Sequence, residues 1–96
     1  MINTSCQNTI ITNVYTFVKS QREMGVTPTQ RMITFYLKSI YQQNRYLFGT
    51  AKWESVAGTF RSMISKAKKC GKRKSGLGMY VVVVCDKHGC NQFKLR

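Results

Sequence analysis

Residues 50–74, TAKWESVAGTFRSMISKAKKCGKRK, begin as an amphipathic helix and end as a run of bare positive charge. Trp53, Val56, Ala57, Phe60, Met63, Ile64 and Ala67 recur at steps of three and four, which puts them on one helical face. A face so apolar has to be covered, so this stretch anchors any core the chain can build. The opposite face carries Lys52, Ser55, Thr59, Arg61, Ser62, Ser65, Lys66, Lys68 and Lys69. No acidic residue occurs between Ser55 and Cys85. Solvated helix faces ordinarily mix both signs, because Glu–Lys pairs one turn apart add stability. Here like charges crowd together, and a polyanion is the expected source of the missing negative charge.

The whole chain repeats that imbalance. Sixteen Lys and Arg stand against three acids, a net charge of +13 over 96 residues. Self-repulsion on this scale works against folding, which argues that the charge serves a partner. Nucleic acid is the first candidate, ahead of an anionic membrane and an acidic protein. A chain of this length buries roughly 60–65% of its unfolded surface, enough for one core and one domain. The opening residues lack a basic region ahead of an apolar run, so no signal peptide is expected. No stretch approaches the ~18–20 apolar residues of a membrane span. The expected compartment is the cytoplasm, nucleoid-associated in a bacterial or phage setting, with four reduced cysteines.

Read in order, residues 1–7 are polar and expected to fray. Ile10, Ile11, Val14, Phe17 and Val18 share a face, predicting a helix over about 8–23 with Gly25 as its stop. Thr27-Pro28-Thr29-Gln30 is a helix start, with Thr27 as cap, Pro28 in the first turn and Gln30 reaching back. Ile33, Tyr36, Leu37, Ile40 and Tyr41 carry that second helix to about 43. Tyr46, Leu47 and Phe48 are too apolar for an idle connection, so they plug the core or form a helical turn. The third helix spans about 51–70. Gly58 costs it about 1 kcal/mol against alanine, and the unbroken apolar stripe favours one continuous helix over a break there.

Residues 71–78, GKRKSGLG, read as an irregular basic loop. A β-hairpin follows over 79–95. The run from Met79 to Cys85, with its four valines, forms the first strand, Asp86-Lys87-His88-Gly89 the turn, and Cys90 to Leu95 the return. In the return, Phe93 and Leu95 alternate with Lys94 and Arg96, one face apolar and the other cationic. The fold class is therefore α+β, a three-helix domain followed by a C-terminal β-hairpin.

That order of elements, with VAGTFRSMISKAKKCG as the last helix and its stop, resembles the winged helix-turn-helix DNA-binding domains. The likeness extends over residues 27–96, or the whole chain if the first helix belongs to the trio. With Gly58 placed at the helix-turn-helix turn, Trp53, Ala57, Ile64 and Ala67 match apolar or small positions, whereas Glu54 and Thr59 depart from the pattern. The resemblance implies a recognition helix lying in the major groove of duplex DNA. Thr59, Ser62, Ser65 and Lys66 are then the side chains directed at base edges. Arg61, Lys68, Lys69, Lys72, Arg73 and Lys74 are assigned to phosphates, and Lys87 to an adjacent groove or backbone.

Other chemistries find less support. Cys70, Cys85, His88 and Cys90 are ligand types that zinc accepts, yet Cys70 stands apart and the close pairs of zinc modules are missing. Reduced cysteines are expected, with no metal and no cofactor. His88 is the only histidine, and the carboxylates Glu23, Glu54 and Asp86 lie far apart, so no catalytic centre is expected. The glycines of 71–78 do not follow the order of a phosphate-binding loop. Tyr80 is the stacking candidate for a single strand. An RNA- or single-strand-binding module, or a phage or mobile-element factor aimed at an acidic host protein, are the rival readings.

Overall fold

The computed structural model describes residues 4–70 and 76–96, with the side chains at 69 and 70 outside that description. Three helices come first: α1 (Thr4–Glu23), α2 (Gln30–Gln43) and α3 (Trp53–Cys70). An antiparallel pair, β1 (Val81–Cys85) and β2 (Asn91–Leu95), closes the chain, which is the expected α+β order. Short 3-10 turns sit at Arg45–Phe48 and Leu77–Met79.

α1 starts at Thr4, inside the segment expected to fray. Cys6, Ile10, Val14 and Val18 are buried at steps of four, so the first turn is held down by packing. Its many Thr and Asn are weak helix formers. Thr9, Asn13 and Thr16 instead bond back to the carbonyls of Ser5, Thr9 and Thr12, which satisfies them within the helix.

The start of α2 differs from expectation. Its cap is Thr29, whose Oγ1 accepts from the Met32 amide at 3.3 Å, and Thr27 lies outside the helix. The reason is tertiary. The buried Pro28 offers its carbonyl to the Phe93 amide at 2.9 Å, and Thr29 bridges Gln92, so this segment runs extended along the outer edge of β2. Gln30 does not reach back. Its Oε1 accepts from Asn91 Nδ2 at 2.6 Å. In the connection after α2, only Phe48 plugs the core, while Tyr46 and Leu47 point outward.

α3 passes through Gly58 without interruption, so a sharp helix-turn-helix bend at that residue is ruled out. The link between α2 and α3 is residues 44–52, containing the first 3-10 turn. The loop expected over 71–78 is also partly regular, and its 3-10 turn takes in Met79, so the first strand begins at Val81 and not at Met79. Leu77 is buried in the second 3-10 turn, and Arg96 clamps that turn through Nε to the Gly78 carbonyl at 2.8 Å.

The hairpin pairs Val81 with Leu95, Val82 with Lys94 and Val83 with Phe93. Val81, Val83 and Phe93 turn inward, leaving Val82, Val84 and Lys94 on the outer face. The alternation expected of the return strand holds, with Phe93 buried and Lys94 and Arg96 exposed, while two valines of β1 share the outer face with Lys94. Phe60 of α3 stacks on Phe93 of β2 at 6.1 Å between centroids, joining helix and hairpin in one core. Among the described residues, no helix is long and apolar enough to cross a membrane.

Candidate nucleic-acid interface

Val56, Ala57, Phe60, Ile64 and Ala67 sink one side of α3 into the core. The helical repeat then fixes what the outer side presents. Ser55, Ser62 and Ser65 form its crest, with the half-buried Gly58 among them. Arg61 and Lys68 lie on one shoulder and Lys66 on the other, all three exposed. Small neutral groups along a ridge, with cations to either side and Glu54 at the start of the Arg61 shoulder, let a helix backbone come close to a charged surface.

Each shoulder has its own neighbours. Lys68 Nζ donates to Cys85 Sγ at 3.1 Å, and Cys85 donates in turn to Asn91 Oδ1 at 3.3 Å. Asn91 then reaches Gln30, so a string of polar contacts fixes Lys68 to the hairpin and the hairpin to the start of α2. Lys66 stands on the opposite side, beside Met63, Leu77 and the start of α1. Lys87 is exposed in the hairpin turn. That turn is shaped by Asp86, whose Oδ1 accepts from the His88 and Cys90 amides at 2.8 and 3.0 Å, with Gly89 at a φ of 81°.

The expected contact residues are thus only partly brought together. Arg61, Ser62, Ser65, Lys66 and Lys68 share the outer half of α3. Thr59 is half-buried at its edge, and Lys87 belongs to a different element. The Lys69 side chain and Lys72, Arg73 and Lys74 lie outside the described residues. With sixteen cations and three acids, at most three could pair one to one. The surface is therefore strongly positive whatever the local geometry.

Among the described residues, no three His, Cys, Asp or Glu side chains gather as metal ligands, and Cys70 lies outside that set. Cys85 and Cys90 are exposed thiols, while burial pushes the Cys6 thiol upward. Asp86 spends its carboxylate on the turn rather than on His88's ring. Tyr80 packs edge-on against Tyr15 at 5.7 Å, leaving it half open.

Sequence reasoning missed a second set of residues. Arg31, Phe35 and Lys38 fall on the outer face of α2 at steps of four and three. Together with Trp53 and Arg61 they line a cleft of about 670 Å³ between α2, the first half of α3 and the hairpin turn. The spacing of Arg31, Phe35 and Lys38 was a readable signal. Phe35 sits beside the apolar stripe of α2 yet is exposed. No protein-family model matches this chain, and neither a curated protein nor a solved structure matches it.

Proposed function

We propose that this chain is a small, non-enzymatic DNA-binding protein, a transcription regulator or accessory DNA factor, that seats the outer ridge of α3 in the major groove. The observation that carries the reading is the ridge itself. A crest of Ser55, Ser62 and Ser65 is flanked by Arg61 and Lys68 on one side and Lys66 on the other. Groove floors admit a helix whose crest is small, and groove walls are phosphate. The crest hydroxyls meet base edges, and the shoulder cations meet the two strands. Lys69, Lys72, Arg73 and Lys74 follow in sequence and extend the backbone contacts. The hairpin, tied to α3 through Lys68 and Cys85, sets the angle of approach.

Fluorescence anisotropy with a fully paired duplex at several salt concentrations tests this. About seven phosphate contacts give a log–log salt slope near −6, and R61A with K66A makes it shallower by about two. A nearly flat slope for the unmodified chain, or an unchanged slope for the double variant, overturns the reading.

A further inference from the structure

The cleft between α2, α3 and the hairpin turn holds one aromatic, Phe35, that packing does not explain, beside Trp53, which also packs against the core. Phe35 is 65% exposed at its rim, although a polar residue there would leave the core untouched. Trp53 lines the cleft from α3 and is backed by Tyr41, whose ring lies 5.8 Å away. Tyr41 is held in turn by its hydroxyl, which donates to the Ala51 carbonyl at 2.8 Å. Arg31, Lys38 and Arg61 surround these two aromatics, and no acidic residue lines the cleft. Single exposed aromatics are ordinary on protein surfaces. Two aromatics in one concavity, with three cations from two helices beside them, match a flat neutral ring joined to a negatively charged group. A volume of about 670 Å³ suits a ligand of nucleotide size.

We infer that this cleft takes one unpaired nucleotide, its base packed against Phe35 and Trp53, its phosphates held by Arg31, Lys38 and Arg61. Arg61 also stands on a shoulder of the α3 ridge, so the cleft and the ridge are one continuous surface. A nucleotide within a strand therefore fits better than a free one. Resting on the DNA-binding reading, the inference makes the full target a duplex joined to a single-stranded stretch.

Trp53 is the only tryptophan in the chain, so its fluorescence reports on the cleft directly. Oligothymidylate is titrated into the protein and into F35A, with pyrophosphate and an abasic oligonucleotide in parallel. Anisotropy with a fully paired duplex runs alongside. Saturable quenching by oligothymidylate is expected, weakened about tenfold in F35A, with duplex affinity changed less than about threefold. Because Phe35 is exposed, F35A keeps its fold, checked by circular dichroism. Absence of saturable quenching up to millimolar oligonucleotide overturns the inference. So does equal binding by the abasic strand or pyrophosphate, which makes the cleft a phosphate site only, or an unchanged affinity in F35A. Loss of duplex binding with quenching intact counts against the ridge and leaves the cleft standing.

Discussion

α1 and α3 each lay an apolar stripe against the same core, Cys6, Ile10, Val14 and Val18 from one, Val56, Phe60, Ile64 and Ala67 from the other. Their outer faces differ. α1 shows Ser5, Asn8, Thr12 and Thr16 to solvent, with Lys19, Arg22 and Glu23 confined to its last turns. α3 shows three serines with Arg61, Lys66 and Lys68 beside them, and Glu54 is its only acid. Both faces are compatible with the same packing, so Arg61 and Lys66 are not needed to build the fold, whereas Lys68 also ties α3 to the hairpin. Charge placed on one helix and withheld from the other points to a task outside folding.

The shared half of this comparison breaks with the largest effect. F60A removes a buried ring that stacks on Phe93, and about 3–5 kcal/mol of stability should go with it. I10A, from the matching face of α1, should cost about 2–5 kcal/mol. Urea denaturation measures both. A loss below about 1 kcal/mol at either site would show that the stripe is not part of the core.

The unshared half is tested by adding negative charge. S62E with S65E should lower duplex affinity by about a hundredfold with little change in melting temperature, because both serines are exposed. T12E with T16E on α1 should change affinity less than about threefold. Equal losses from the two helices, read by anisotropy, would erase the functional distinction between them.

Gly58 sharpens the same point. A β-carbon there would meet only Arg61 Nη2 at 3.9 Å, so G58A should raise stability by about 0.5–1 kcal/mol. If the ridge seats closely in a groove, the added methyl weakens duplex binding even as the melting temperature rises. A stability gain without a binding cost would place Gly58 outside the contact.

The smallest effect concerns Cys6. Burial raises its thiol pKa above the ordinary value of 9.0, since the thiolate is disfavoured in the core. The unfolded thiol thus ionises at lower pH than the folded one. Its contribution is complete below that value and declines as pH rises through the folded pKa. C6A should therefore flatten stability at alkaline pH. Iodoacetamide mapped by mass spectrometry should label Cys85 and Cys90 well before Cys6.

The helices and the hairpin were legible because their periods were clean. The stripe of α3 outweighed the local cost of Gly58, and the valine run left little choice but a strand. The α2 start was misread because Thr27-Pro28 is a good local cap, yet β2 claimed Pro28 and Thr29 through its free edge. Alternation gives the side of Lys94, but not its neighbours across the pair, nor the bond that ties Arg96 to Gly78. The α2 side of the cleft is legible in the spacing, but its assembly is not. Arg31, Phe35 and Lys38 are distant in sequence from Trp53 and Arg61, and only packing of α2 against α3 brings them together.

By itself the sequence determined the number and kind of elements, the apolar faces that must be covered and the excess of positive charge. Periodicity and composition are local or summed properties, and they survive without any knowledge of neighbours. Only the tertiary structure decided that Thr29 caps α2, that Lys68 is tied to Cys85, and that two aromatics and three cations share one cleft. Those facts depend on which distant groups meet, and hydrogen-bonding edges and side-chain volumes settle that only once the chain has closed on itself.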